Sequence, residues 1–173
     1  KTLAEISKLL KEEDEEAYLA LSQKHIVFRI GGYYVVSRLL EGEFLDYNAA
    51  IPKVSKTTVK INTRSLTDAV ERTSLLISDR LRSPIRLSAM DQKVQLNCST
   101  SMGKAHDEVD CEMSGEAVSM GFNNKYLMDA LKASDCDMVK LEINGALSPM
   151  RILPLEGESF LFLVLPVRVK NDD

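Results

Sequence analysis

The order of secondary-structure elements in this chain repeats, and the repeat limits the folds open to it. Residues 56–113 read as strand, helix and three strands, residues 117–169 read the same way, and residues 1–40 carry the helix and three strands of that unit. The period, roughly 50–55 residues, lies in element order and not in residue identity. In the first copy, Leu3, Ile6, Leu9 and Leu10 fall at helical spacing, with Lys8 and Lys11 off that stripe. The acidic run from Glu12 to Glu16 reads as a solvated turn. AYLALSQ, HIVFRI and YYVVSRL follow as strands, and Gly31-Gly32 between the last two is a hairpin signal, because glycine reaches positive φ without steric cost. From Glu41 to Ser55 there is no clear periodicity, so we read a connector held by Phe44, Leu45, Tyr47 and Ile51.

In the second copy the strand TTVKINTR leads to a helix expected to begin near Ser65, a candidate N-cap. Leu66, Ala69, Val70, Thr73, Leu76 and Ile77 form its buried stripe, with Arg72 off it. PIRLSAM and KVQLNCS form a hairpin across Asp91-Gln92, and AHDEVDCEM is one further strand ending at Ser114-Gly115. The third copy runs from AVSMGFN, through Asn123 or Asn124 as cap, into the helix KYLMDALKAS. Its strands are MVKLEI, PMRILP beyond Asn144-Gly145, and FLFLVLPVRV. This order predicts an α+β fold in which units pair their antiparallel sheets edge to edge and carry their helices on one side. The free helix faces then hold Lys8, Lys11, Arg64, Arg72, Lys125 and Lys132. Two readings are open: ordinary solvated faces, or a basic strip on a concave surface that holds a phosphate backbone without reading bases.

Composition narrows the function. With 173 residues the chain holds one full domain and part of another. A net charge of -4 argues against a surface covered in nucleic acid, though not against a basic strip on an acidic body. No apolar run approaches the ~18–20 residues of a membrane helix, and the opening is not that of a signal peptide. It starts inside a helical pattern without methionine, so we expect further residues upstream. The three cysteines, Cys98, Cys111 and Cys136, are odd in number and widely spaced, which fits reduced thiols in the cytoplasm. An enzyme finds little support. His25 and His106 sit in no triad or metal motif, and the spacing of Cys98, His106 and Cys111 fits no familiar zinc pattern. Asp107, Glu108, Asp110 and Glu112 fall on both faces of a strand, as charges that protect an edge do. Gly31-Gly32 has no helix after it and is not a phosphate loop. No catalytic residue, cofactor or metal is expected.

Three segments resemble one known family. EGEFLDYNAAIP resembles the connector between the second and third domains of the bacterial DNA polymerase III beta subunit, where a Gly-x-Phe-Pro-Asp-Tyr pattern precedes an apolar stretch ending in proline. GFNNKYLMDAL resembles that family's Gly-Phe-Asn-x-x-Tyr-Leu-x-Asp-x-Leu helix start, and FLVLPVRV its terminal Met-Pro-Met-Arg-Leu or Leu-Pro-Val-Arg tail. The resemblance covers essentially the whole chain. It implies the DNA-clamp fold, with β-α-β-β-β units repeated, antiparallel sheets outside and helices on the inner face. Residues 1–53 would be the second half of the middle domain with its connector, and residues 54–173 the complete C-terminal domain.

The resemblance further implies a DNA sliding clamp, a processivity factor rather than an enzyme, serving the bacterial DNA-directed DNA polymerase complex in the cytoplasm. Two full-length chains close head to tail around duplex DNA. The DNA polymerase III alpha subunit, the clamp loader and other replication or repair proteins dock a Gln-x-x-Leu-Phe-like peptide between the last two domains. Carried over by position, the pocket would use Leu45, Ala49 and Ala50 of the connector, Leu147 and Pro149 on a nearby strand, and Leu163, Leu165, Pro166, Val167 and Arg168 of the tail. VLPVRV read without the resemblance is a closing core strand, and alternate residues can serve both roles. DNA would face Lys8, Lys11, Arg64, Arg72, Lys125 and Lys132. The homodimer interface would use Leu76 and Ile77 with His106, Asp107 and Glu108, its partner surface lying in an N-terminal domain outside this stretch. By itself this stretch is therefore expected to be monomeric. Leu45 departs from the family's proline, Ala49 from a larger and often basic residue, and Lys170 to Asp173 extend the tail. The rival reading is an interaction scaffold of the same fold without a DNA role.

Overall fold

In the computed structural model, which describes residues 1–10, 16–77 and 83–169, the helical spacing at the start of the chain becomes α1 (Thr2–Leu9). Lys11 and the acidic residues 12–15 lie outside the described residues. The strands β1 (Ala17–Leu21), β2 (His25–Ile30) and β3 (Tyr33–Arg38) form an antiparallel meander in the order β1-β2-β3. Gly31 and Gly32, at φ 50° and 89°, make the β2–β3 turn that the sequence predicts. Alternation on β2 sends Phe28 and Ile30 to the helix side, where they bury with Ile6 of α1. The opposite face carries Arg29 between the rings of Tyr18 and Tyr34, 5.7 Å from each centroid. These elements form one compact unit, Lys1–Asp46, and Tyr47–Asp173 form a second.

The second unit opens with a single helical turn, α2 (Tyr47–Ala50), inside the stretch read as an aperiodic connector. Its two repeats then follow. The first has β4 (Thr57–Asn62), α3 (Thr63–Ser74), β5 (Ile85–Met90), β6 (Lys93–Thr100), β7 (Gly103–Asp110) and β8 (Glu112–Gly115). The second has β9 (Val118–Phe122), α4 (Asn124–Ala133), β10 (Met138–Ile143), β11 (Met150–Pro154), β12 (Phe162–Val164) and β13 (Pro166–Val167).

The repeats do not join whole sheets edge to edge. They exchange their first and last strands. One sheet runs β12-β11-β10-β4-β8 and the other β13-β9-β5-β6-β7. Each therefore takes three strands from one repeat and two from the other, and swapping the repeats turns one order into the other. All strand pairs are antiparallel. Both sheets, α3 and α4 share one core, with Val59, Ile61, Leu87, Leu96, Phe122, Leu127, Leu141 and Ile152 fully buried. Each such side chain contributes about 1.5–3 kcal/mol by leaving water.

Exchange requires each repeat's last strand to change sheets, and this corrects two sequence readings. Residues 105–113 are not one strand: the chain leaves β7 at Cys111 and enters β8 in the other sheet. Gln92, in the β5–β6 turn at φ 60° beside Asp91 at 51°, guides the crossing. The Met113 N–H donates to Gln92 Oε1 at 2.8 Å and Gln92 Nε2 donates to the Met113 carbonyl at 3.0 Å, so the side chain stands in for a strand partner. Residues 160–169 likewise split at Leu165 into β12 and β13. The following Pro166 has no N–H with which to continue the β11–β12 ladder.

Two local expectations change as well. The cap of α3 is Asn62, not Ser65: Asn62 Oδ1 accepts from the Ser65 N–H at 2.9 Å, so the helix begins at Thr63. Asn123 caps α4 in the same way, accepting from the Lys125 N–H at 2.9 Å. Leu147 and Pro149 lie on no strand. They belong to the loop between Ile143 and Met150, where Gly145 takes φ 152° and the Ser148 N–H donates to the Gly145 carbonyl at 3.1 Å.

Candidate functional site

The short strand β13 sits at the end of its sheet, paired only with β9 through Pro166↔Phe122 and Val167↔Gly121. Concavities open on both sides of Val167 and Arg168. One, of about 370 Å³, has Arg86, Ser119, Met120 and Gly121 along β5 and β9. Ala146 and Leu147 of the β10–β11 loop and Val167, Arg168 and Val169 of the tail complete it. The other, of about 150 Å³, lies between the tail and the start of α4, with Ser83, Pro84, Asn123 and Asn124 opposite Val167 and Arg168. Across from Ser119 on β5, the buried Ser88 hydroxyl meets the Ser119 hydroxyl at 2.8 Å, so neither is left unsatisfied. Leu147 is 77% exposed and Leu165 65% exposed, apolar surface suited to covering by a peptide.

The helices present a different surface. The start of α3 shares a concavity of about 390 Å³ with the end of α4, and the end of α3 shares one of about 360 Å³ with the start of α4. The helices therefore lie antiparallel, side by side. Their exposed charges are mixed: Arg64, Asp68, Glu71 and Arg72 on α3, Lys125, Asp129 and Lys132 on α4.

Arg72 does not simply face solvent. Its Nε donates to Asp107 Oδ2 at 2.7 Å, tying the last turn of α3 to β7, the edge strand of its sheet. Asp107 Oδ1 also accepts from the Glu108 N–H at 2.9 Å. The Arg72 guanidinium holds the Asp107 carboxyl below the usual carboxylate range. Folding thus weakens proton binding there, so the stability it contributes is present above about pH 4 and is lost as pH falls through the lowered value. Replacing Asp107 with asparagine is expected to destabilise the chain near pH 7, by an amount that shrinks as the buffer approaches about pH 3. Denaturant curves of both forms at the two pH values test this, and a gap independent of pH would refute it. On the other face of β7, His106 Nδ1 meets Asn97 Oδ1 at 2.8 Å and Glu108 pairs with Lys93.

Family models match the chain over both units: the central domain of the DNA polymerase III beta subunit over residues 1–46, and its C-terminal domain over residues 48–168. The chain belongs to the DNA polymerase III beta subunit family. A beta sliding clamp of Staphylococcus aureus is 33% identical over 170 residues, 97% of this chain and 45% of that protein. Among solved structures, the sliding clamp of Bacillus subtilis aligns at TM-score 0.89 and 29% identity, covering 98% of this chain and 45% of its own. A putative beta subunit from Eubacterium rectale aligns at TM-score 0.87 and 32% identity, covering 96% and 45%. The chain thus has the DNA-clamp fold and spans about 45% of the length of these relatives.

Within this beta-subunit fold the expected site residues separate. Leu147, Val167 and Arg168 share the larger concavity, while Leu163, Leu165, Pro166 and Pro149 line neither of the two. Leu163 lies on β12 and Leu165 at the sheet crossing. Ala49 and Ala50 are exposed on α2, and Leu45 is 75% exposed at the end of the first unit. Of the expected interface residues, Leu76 and Ile77 follow the last turn of α3, half-buried, and His106, Asp107 and Glu108 are on edge strand β7. Lys8, on α1, pairs with Glu5 at 2.9 Å. Lys11 is outside the described residues.

Sequence reasoning passed over Arg86, Ser119, Met120, Gly121, Ala146 and Val169. Two carried a signal, Gly121 as the first residue of Gly-Phe-Asn and Val169 as the last of FLVLPVRV. A Cβ at Gly121 would stand 2.2 Å from Val169 Cγ2 and 2.7 Å from the Val167 carbonyl oxygen. Among the described residues no group of three or more His, Cys, Asp or Glu could hold a metal ion, and no helix is long and apolar enough to cross a membrane. Cys98, Cys111 and Cys136 are free thiols, and burial pushes those of Cys98 and Cys111 up.

Proposed function

We propose that this chain acts in a sliding clamp that encircles duplex DNA without reading sequence and tethers the polymerase and other replication or repair proteins by docking a short apolar peptide along its tail. Residues 1–53 then serve as the second half of the middle domain with its connector, and residues 54–173 as the C-terminal domain. The observation that carries the proposal is the Val167–Arg168 segment of the tail with a concavity on each flank and exposed leucines beside it. A few desolvated aliphatic and aromatic anchors can supply most of the affinity of such a contact. In this reading the peptide meets Leu147, Pro149, Leu163, Leu165, Pro166, Val167 and Arg168, joined by Leu45, Ala49 and Ala50. Lys8, Lys11, Arg64, Arg72, Lys125 and Lys132 face the DNA backbone, whose hold depends on salt. Leu76, Ile77, His106, Asp107 and Glu108 meet a second chain.

The test is a titration of a fluorescent Gln-Leu-x-Leu-Phe peptide against the chain and against a form ending at Val164. We expect saturable binding that disappears with the tail. Because β13 is a two-residue edge strand, its removal leaves both five-stranded layers otherwise intact, and circular dichroism checks that they are. Equal binding to both forms would place the site elsewhere, and binding to neither would leave a scaffold of the same fold.

A further inference from the structure

We propose that Arg86 makes the tail concavity selective for peptides that carry an acidic side chain beside their apolar anchors. The inference rests on the reading of that concavity as the peptide site. Arg86 is on β5, half-buried, with its side chain on the face of the sheet away from the core, since its neighbours Ile85 and Leu87 are fully buried. Directly across the two flanking strands stand Asn97 on β6 and Gly121 on β9. Neither offers a charge, and the space a side chain at Gly121 would fill is taken by Val169 and the Val167 carbonyl, which brings the tail close beside Arg86.

Among the described residues neither Arg86 nor Arg168 has an ion-pair partner. Both nevertheless line the same concavity, which among the described residues includes no carboxylate. Elsewhere Arg38, Arg72 and Arg151 each meet an acid, and Arg29 lies between two tyrosine rings. A half-buried arginine without a counter-charge leaves its guanidinium free to take an anion as partner. An incoming carboxylate engages it through charge-assisted bonds, bidentate where the planar fork can be met squarely. Leu147, Val167 and Val169 beside the arginines offer apolar surface to an anchor of the same peptide, which on binding would shield that contact from water.

The test compares two end-blocked Gln-Leu-x-Leu-Phe peptides, flanked on both sides by aspartate or by asparagine, binding to the chain and to Arg86→Gln. We expect the aspartate peptide to bind about tenfold more tightly, about 1.4 kcal/mol. The preference should collapse in Arg86→Gln, recover at least in part in Arg86→Lys, and weaken as salt rises toward about 1 M. Asparagine-peptide affinity should change much less than aspartate-peptide affinity across the three proteins, and circular dichroism reports that the fold is intact. Equal affinities for the two peptides, or a preference that survives Arg86→Gln, would overturn the inference while leaving the peptide site standing. A preference shown only by a peptide with a free α-carboxylate would overturn it too, assigning Arg86 to chain ends. Binding of neither peptide would remove both the inference and the site reading beneath it.

Discussion

Replacing Phe122 with alanine is expected to cost the second unit about 3–5 kcal/mol, a large share of the roughly 5–15 kcal/mol that holds a domain together. Phe122 is fully buried on β9, paired with Ile85 of β5 on one side and Pro166 of β13 on the other. Its ring belongs to the core that takes in Leu87, Met120, Leu127 and Val164, from both sheets and α4. Truncation removes the transfer energy of the ring and leaves a cavity that antiparallel ladders on both sides keep from closing. Chemical denaturation reads the effect as a lower midpoint at an unchanged slope. A loss below about 1 kcal/mol would show that the strands collapse readily into the space, and that the shared core is looser than its burial suggests.

The same tripeptide shows what was legible in the sequence and what was not. Gly121-Phe122-Asn123 stood out as a family-like signature, and each residue has a separate physical task. Phe122 fills the core, Asn123 caps α4, and Gly121 lets the tail approach. Periodicity and turn chemistry revealed the elements themselves, because hairpins at Gly31-Gly32 and Asp91-Gln92 and helical stripes on α3 and α4 are local properties. The exchange of strands between repeats is not local. Nothing within residues 105–113 announces that Cys111 is where the chain changes sheets: the partner that guides the turn is Gln92, about twenty residues earlier.

The site divides along the same line. Val167 and Arg168 could be placed from the tail motif, and Leu147 by position in the resemblance. Arg86 and Ser119 reach that concavity only because β5 and β9, from different repeats, pair beside β13. A reading by segments had no means of bringing them together. Arg72 teaches the converse: helical periodicity put it off the buried stripe, correctly, but could not show that Asp107 on β7 would hold it.

Replacing Gly121 with alanine is expected to abolish peptide binding while costing about 1–3 kcal/mol of stability. The added Cβ would stand 2.7 Å from the Val167 carbonyl oxygen, a backbone atom, as well as 2.2 Å from Val169 Cγ2. A side chain could rotate away, but the carbonyl moves only with its strand, and β13 is held to β9 over two residues alone. Detaching this edge therefore relieves the clash more cheaply than distorting β9, which lies within the sheet between β13 and β5. Affinity and stability should then separate. Phe122→Ala weakens the whole unit, whereas Gly121→Ala releases the tail and leaves the core folded. Hydrogen exchange distinguishes the two, with protection expected to fall at Val167 in Gly121→Ala while the amides of β5, β6 and β10 keep theirs. Retained peptide affinity in Gly121→Ala would mean that the docking surface does not need β13 in place. The site would then have to be sought away from the tail, among the surfaces that the mixed charges of α3 and α4 or the edge of β7 provide.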